Sequence, residues 1–175
     1  EAIAAELGMT ALIDNRPGAA GNLATEIVVK SNDGATLLVA SNPYINKALY
    51  KKLNVDIEKD LIPVTLLANG PMIIAVNNNL PVNSINELIA YGKKNPGKLN
   101  FASSGNGSSP HLSGVLFNSV AGLDITHIPF KGGAPAVQSI IAGDTQVIYG
   151  TSPVVLPQVR AGRIRALAIT TQEKW

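Results

Sequence analysis

The chain of 175 residues lacks cysteine entirely and has only two histidines, His111 and His127. The first absence excludes disulfides, thiol catalysis and thiolate metal sites, and the second excludes a histidine-rich metal centre. Aromatic residues reach only 5% and the net charge is +2, so no basic surface with stacking residues is available for nucleic acid. No apolar run approaches the roughly 20 residues of a membrane span. A content of 46% hydrophobic residues is instead typical of a globular chain.

Residues 103–112, S-S-G-N-G-S-S-P-H-L, form the stretch around which the rest of the chain is organised. An apolar run precedes this stretch, and apolar residues follow it at helical spacing from Leu112 to Val120. Ser109 is a natural N-cap, and Pro110 suits the first helical position. The pattern predicts a strand, a short polar loop and an exposed helix N-terminus, where free amides and the helix dipole favour an anion. A simple strand-to-helix connection is the alternative.

The same order of strand, small polar loop and proline in the first helical turn recurs at Ala134-Pro135 and at Ser152-Pro153. Alternating strands and helices predict a parallel, doubly wound sheet with right-handed crossovers. In such a sheet the strands end along one edge, which is where ligands bind. We therefore expect the polar loops to converge on one rim and to form an anion site there.

The chain before residue 80 is expected to contain strands as well. Apolar runs predict them at residues 9–14, 36–40, 62–68 and 72–76. The last two runs are joined by Asn69-Gly70-Pro71, which suits either a strand that crosses between two sheets or a hairpin. A helix capped by Asn22 is expected to turn its apolar residues inward, namely Leu23, Ile27 and Val28. Pro157 is expected to break the last helix.

Motifs that support catalysis are few. The chain contains neither H-E-x-x-H nor G-x-S-x-G, and Pro110 stands where the dinucleotide fingerprint needs its third glycine. Lys131 precedes Gly132 and Gly133, the reverse of the order in a P-loop, although it could attract an anion. Hydroxyls and amides without catalytic machinery favour binding without turnover. No catalytic residue, metal ligand or cofactor is predicted.

The two histidines leave one enzymatic alternative open. His111 follows Ser108 and Ser109, so a Ser–His pair would make the chain a small α/β hydrolase. A histidine in the first turn of a helix more often lines a pocket or faces solvent. His127 alternates with isoleucines and is expected to be a hydrogen-bonded strand histidine.

Seven motifs occur in a fixed order along nearly the whole chain. They are N-R-P-G-A-A-G-N (15–22), D-G-A-T-L-L-V-A-S (33–41), I-N-K-A-L-Y-K-K-L (45–53), P-V-T-L-L-A (63–68), L-N-F-A-S-S-G-N-G-S-S-P-H-L-S-G (99–114), H-I-P-F-K-G-G-A-P-A (127–136) and G-R-I-R-A-L-A-I-T (162–170). Together they closely resemble the TctC-like Bug receptors, the periplasmic solute-binding proteins of tripartite tricarboxylate transporters.

The resemblance implies an α/β chain with the type II periplasmic-binding-protein fold, two doubly wound lobes hinged like a Venus flytrap. Residues 1–72 are expected to be part of lobe one, residues 73–169 lobe two, and residues 170–175 the start of the return segment. The chain is expected to be incomplete, lacking parts of lobe one. The implied function is periplasmic capture of a small carboxylate for delivery to membrane permease subunits, without catalysis, nucleic-acid binding or membrane insertion.

The resemblance also implies a set of ligand-binding residues on the polar loops of both lobes. They are Ser41, Asn42, Ser104, Gly105, Asn106, Gly107, Ser108, Ser109, Lys131, Gly132, Gly133, Ala134, Gly150 and Thr151. Relatives commonly have an aspartate where this chain has Gly150, so a plain carboxylic acid is favoured over an amino acid. A ligand-sensing domain of a transcription regulator, which can share the fold, is the other alternative besides the hydrolase.

Overall fold

The computed structural model describes residues 2–6, 8–41 and 46–172. The strands are β1 (Met72–Asn77), β2 (Asn100–Ser103), β3 (Thr126–Pro129), β4 (Val147–Thr151) and β5 (Ile164–Ile169). The helices are α1 (Ala2–Glu6), α2 (Asn22–Ser31), α3 (Asn46–Leu49), α4 (Ile57–Asp60), α5 (Ile85–Lys94), α6 (Ser109–Ala121), α7 (Gly133–Ala142) and α8 (Ser152–Arg160), with a 3-10 turn at Ala19–Gly21. None of the described helices is both long and apolar enough to cross a bilayer.

The five strands form one mixed sheet in the order β3-β2-β4-β1-β5. β2 is parallel to β3 and β4, whereas β1 is antiparallel to both β4 and β5. The prediction of an α/β fold is confirmed, but the prediction of an all-parallel sheet is wrong for β1. The chain reaches the sheet through buried Pro71 at the edge where β4 and β5 end, so β1 has to run the other way.

Helices cover both faces of the sheet, and alternate side chains of each strand pack against one face or the other. One core contains Phe101 and Tyr149 from the sheet and Leu88 from α5. The opposite core contains Ala102 and Ile148 together with residues of α7 and α8, namely Ala136, Val137, Ile140 and Val155. Burial on both faces explains why β1 and β4 are almost continuously apolar.

In the part of the chain after residue 80, most helices begin and end at capping residues that are visible in the sequence. The Ser84 hydroxyl accepts a hydrogen bond from the Glu87 amide at 3.2 Å, and the Glu87 carboxylate accepts one from the Asn83 amide at 2.7 Å. α7 ends at Gly143, whose φ of 92° is left-handed. The prediction that Pro157 breaks the last helix is wrong, because α8 continues through it to Arg160, with Pro157 exposed and Val155 fully buried.

The first part of the chain differs from its predicted structure. The described residues have no strand at 9–14, 36–40 or 62–68, and Leu37, Val39 and Ile62 are 68%, 78% and 89% exposed. A strand needs a hydrogen-bonded neighbour, and no described strand lies beside these runs. The hairpin alternative is also wrong, because β1 pairs with β4 and β5 rather than with residues 62–68. α2 buries Asn22 and Thr25, not the apolar residues expected to face inward.

We predict that Gly114→Ala destabilises the protein by about 1–3 kcal/mol, although Ala normally favours a helix over Gly. A Cβ at Gly114 would overlap the ring of Phe101, which is 1% exposed. The matched control is Gly92→Ala in α5, where the Cβ would meet the end of the Leu123 side chain at 3.0 Å. Urea unfolding should show a lower free energy of unfolding for Gly114→Ala only; equal effects of both variants would contradict the packing described here.

Candidate ligand-binding site

The polar loops leave the sheet along one edge. β2, β3 and β4 end there, and β1 begins there, because Met72 pairs with Thr151 at the end of β4. The loop after β2 touches the loop after β3, since the Phe130 amide donates to the Ser103 carbonyl at 3.0 Å. The alternation of strands and helices had predicted this arrangement of the loops.

Residues 104–108 form a tight loop that is held by its own hydroxyls. Gly105 and Gly107 have φ values of 128° and 80°, which favour glycine. The Gly105 amide donates to the Ser103 hydroxyl at 3.1 Å, and the Gly105 carbonyl accepts from the Ser108 hydroxyl at 2.7 Å. The loop therefore has a defined shape before any ligand arrives.

Ser108, rather than Ser109, caps helix α6. The Ser108 hydroxyl accepts from the His111 amide at 3.4 Å, while Ser109 and Pro110 are already in the first helical turn. The prediction that Ser109 is the N-cap is wrong by one residue, because the second of two adjacent serines is drawn into the helix. The helix N-terminus still lies beside the loop, as the sequence predicts.

The amides of the loop divide into two sets. The Gly105 amide donates to the Ser103 hydroxyl at 3.1 Å, and the Gly107 amide donates to His111 Nδ1 at 3.1 Å. The Ser108 amide donates to the Gly105 carbonyl at 3.2 Å. Within the described part of the chain, the amides of Ser104 and Asn106 donate to no acceptor. Ser104 is half-buried and Asn106 is exposed, so their amides are the ones that an anion can use.

The loop between β3 and α7 presents a second helix N-terminus. Gly132, with a φ of 112°, precedes α7 and supplies no side-chain cap, and Gly133 is the first helical residue. Lys131 and Ala134 are exposed at the same edge. A Cβ at Gly105 would lie 3.4 Å from the Phe130 carbonyl oxygen, so the two loops approach each other closely.

Gly150 and Thr151 belong to a strand, not to the polar loop in which they were predicted. Both lie in β4, where Gly150 is buried and Thr151 is exposed at the edge. A Cβ at Gly150 would overlap the Val155 side chain of α8, so this position faces the core on that side. The loop is shorter than predicted because α8 begins at Ser152, whose hydroxyl donates to the Pro71 carbonyl at 3.0 Å.

The first part of the chain reaches the loop through residues that sequence reasoning missed. The Tyr50 hydroxyl donates to the Asn106 carbonyl at 3.2 Å, and a Cβ at Gly107 would lie 3.0 Å from Leu49 Cδ1 and 3.5 Å from Ala20 Cβ. All three lie within motifs that the sequence analysis quoted, and none has a side chain that suggests a ligand contact. Of the predicted pair on this side, Ser41 is exposed and Asn42 lies outside the described residues.

Two stacked histidines lie behind the loop. The ring centroids of His111 and His127 are 4.1 Å apart, and Phe101 stacks on His127 at 4.8 Å. His111 Nδ1 accepts from the Gly107 amide at 3.1 Å, and His127 Nε2 lies 2.6 Å from the Ser103 hydroxyl. The sequence offered one clue to this pairing, the position of one histidine just after β2 and the other within β3.

Both imidazoles are neutral at pH 7. Burial lowers the pKa of His111, and burial followed by the nearby charge of His111 lowers the pKa of His127 to about 4. The prediction that His127 is a hydrogen-bonded strand histidine is confirmed by its contact with the Ser103 hydroxyl. Among the described residues, no group of three or more His, Asp or Glu side chains could hold a metal ion.

We predict that His127 makes the free energy of unfolding depend on pH. The unfolded histidine protonates near pH 6.5 and the folded one only near pH 4, so stability is lost as the pH falls between these values. Because the ring is partly exposed, the loss is on the order of 1 kcal/mol. Urea unfolding of His127→Gln, which retains a polar group but does not titrate, should show a shallower decline from pH 7 to pH 4. Identical declines in both proteins would contradict this prediction.

The structure is that of an α/β domain whose polar loops, along one edge of the sheet, offer mainly amides and hydroxyls. The family model of the tripartite tricarboxylate transporter family receptor (TctC) matches residues 1–175. The chain therefore belongs to this family, and its resemblance to the Bug receptors is confirmed.

Individual relatives agree with this assignment. Protein BugT of Bordetella pertussis is 34% identical over 172 residues, which cover 96% of this chain and 53% of BugT. The structure of R. palustris Rpa4515 with adipate is 34% identical, has a TM-score of 0.95 and is matched over 99% of this chain and 59% of its own. MatC (Rpa3494) from Rhodopseudomonas palustris with bound malate is 31% identical, with a TM-score of 0.90 over 98% of this chain and 60% of its own. The chain spans about half the length of the curated relatives it matches.

Proposed function

We propose that the protein is a periplasmic solute-binding receptor that captures a small organic carboxylate and delivers it to the membrane permease of a tripartite tricarboxylate transporter. The observation that carries this proposal is the loop 104–108, in which the amides of Ser104 and Asn106 donate to no acceptor among the described residues and lie beside the N-terminus of α6. Membership of the receptor family, whose members are periplasmic, supports the transport role and the location.

Amides, hydroxyls and helix N-termini are sufficient to hold a carboxylate. A hydrogen bond to a charged group contributes about 1.5–3 kcal/mol, and each helix dipole adds about 0.3–1 kcal/mol. The uncapped N-terminus of α7 at Gly132 lies next to the loop and supplies further donors. Lys131 is exposed at the same edge and adds a positive charge without closing a salt bridge over the site.

The proposed ligand is a carboxylic acid without an amino group. None of residues 104–109, 130–134 and 150–153 is acidic, so these loops offer no partner for an ammonium group. Adipate and malate, the acids bound to Rpa4515 and MatC, are both dicarboxylates. A second carboxylate would need donors elsewhere, for which the predicted residues Ser41 and Asn42 are candidates.

Capture is proposed to occur by closure of two lobes around the ligand. The division into residues 1–72, 73–169 and 170–175 is supported by the sheet, which runs from Met72 to Ile169. The contact of Tyr50 and Leu49 with the loop supports the placement of the ligand between this sheet and the first part of the chain.

A hydrolase is less well supported than a receptor. The Ser108 hydroxyl donates to the Gly105 carbonyl and accepts from the His111 amide, and His111 Nδ1 already accepts from the Gly107 amide. Ser108 is thus engaged in the backbone of the loop rather than with an imidazole nitrogen. No observation favours the transcription-regulator alternative.

We predict that dicarboxylates stabilise the full chain against heat. A ligand present at 100 times its Kd should add about 2.7 kcal/mol to the free energy of unfolding. A thermal-shift screen with adipate, malate, glutarate and glutamate should show a higher Tm with at least one dicarboxylate and a stronger effect of glutarate than of glutamate. Stabilisation by another class of ligand and by no carboxylate would overturn the proposed function, and preference for glutamate would overturn the ligand class.

We also predict that Gly107→Val weakens carboxylate binding at least about tenfold, whereas Gly97→Val leaves it unchanged. Both glycines have a left-handed φ, 80° and 73°, so the backbone strain is matched. Only at Gly107 would the new side chain meet Leu49 and Tyr50, at 3.0 and 3.5 Å, whereas Gly97 has open space around it. Calorimetric titration with the carboxylate that gives the largest thermal shift measures the difference, and equal affinities would show that the loop is not the cradle.

A further inference from the structure

Two peptide units determine which amides of the loop 104–108 face outward. The peptide between Asn106 and Gly107 is held on both sides, because the Asn106 carbonyl accepts from the Tyr50 hydroxyl at 3.2 Å and the Gly107 amide donates to His111 Nδ1 at 3.1 Å. A peptide fixed at both ends cannot rotate without breaking one of these hydrogen bonds. Its orientation decides where the neighbouring amides point.

The second peptide unit is held through Ser103. The Gly105 amide donates to the Ser103 hydroxyl at 3.1 Å, and that hydroxyl lies 2.6 Å from His127 Nε2. Two of the hydrogen-bonded amides are therefore held by a histidine, that of Gly107 directly by His111 and that of Gly105 through Ser103 by His127. The stacking of the two rings at 4.1 Å couples the two supports.

We propose that His111 and His127 are positioning residues of the carboxylate site, which as a stacked neutral pair turn the Gly107 and Gly105 amides inward and leave those of Ser104 and Asn106 for the ligand. This inference rests on the proposed function, since it concerns the same loop. Neither imidazole touches the ligand; both act through the backbone.

The support requires the neutral form of the rings. His111 Nδ1 accepts a hydrogen bond only when it has no proton, and two charged rings at this distance would repel each other. Tyr149 of β4 packs edge-on against Phe101, which stacks on His127, and it is uncharged at pH 7 because burial raises its pKa. Among the described residues, no carboxylate, ammonium or guanidinium group contributes to the lowered pKa of His111 or of His127.

Side chains that imitate one ring nitrogen distinguish a histidine that positions the loop by a hydrogen bond from one that only fills space. In His111→Asn the amide oxygen can take the place of Nδ1, whereas His111→Leu fills similar space without an acceptor. The same logic applies to His127→Gln, which imitates Nε2, and to His127→Leu. We expect the two leucine variants to bind a carboxylate at least about tenfold more weakly and the two amide variants to stay within about threefold of the unsubstituted protein.

The test is calorimetric titration of each full-length variant with adipate, malate and glutarate at pH 7, after urea unfolding has shown which variants are folded. A second measurement follows the affinity from pH 7 to pH 4, a range that includes the pKa of His127, and the double variant His111→Asn/His127→Gln should lose less affinity than the unsubstituted protein. The pH dependence reports the imidazoles, because the ligand itself titrates identically with both proteins.

Nuclear magnetic resonance provides a readout that needs no ligand. A through-hydrogen-bond coupling between the Gly107 amide nitrogen and His111 Nδ1 should be present at pH 7 and disappear when His111 protonates. Absence of this coupling, full affinity in His111→Leu, or equal losses in His111→Asn and His111→Leu would each overturn the inference. If the unsubstituted protein binds none of the three acids while the coupling is present, the proposed function is contradicted. The support of the loop by His111 would then still stand.

Discussion

The hydrogen bond from the Gly107 amide to His111 Nδ1 is the interaction on which the geometry of the candidate site depends. Every amide in a short loop either finds an acceptor in the protein or remains available to a ligand. His111 accepts one of these amides, and in the proposed site this leaves the amides of Ser104 and Asn106 for an anion. A loop held in this way would lower the entropy cost of binding a ligand.

The sheet and the helix packed on it bring the two histidines and Ser103 together. His127 reaches Ser103 because β3 lies parallel to β2 in a register that pairs Phe101 with His127. His111 reaches the same stack because α6 packs over β2 with Gly114 against the Phe101 ring, which leaves no room for a Cβ. An antiparallel β1 completes the edge, since it begins where its neighbours end. Phe101 therefore belongs to the core and also stacks on the histidine behind the loop.

Most of the sheet and its helices could be predicted from the sequence, because each element after residue 72 has its packing partners within the chain. The direction of β1 could not be predicted, since apolar periodicity carries no information about strand direction. The strands predicted at 36–40 and 62–68 are absent because a strand forms only beside another strand, and the described residues provide none there. At the site, glycines and hydroxyls were visible in the sequence, but the role of the histidines was not. Their pairing depends on register and on a helix crossing, which join residues 16 positions apart.

A site built from dipoles rather than from cations would suit the proposed receptor, which would also have to release its ligand. A buried salt bridge to a carboxylate would hold it strongly but would leave an unpaired charge once the ligand departs. Amides and hydroxyls can return to water, so the amides of Ser104 and Asn106 in the proposed site would carry no such penalty after release. In the proposed site a neutral His111 is needed as well, because protonation of its Nδ1 would break the hydrogen bond from the Gly107 amide that shapes the loop. Uncharged donors at the site and an uncharged support behind it would therefore both keep binding dependent on the backbone of the loop.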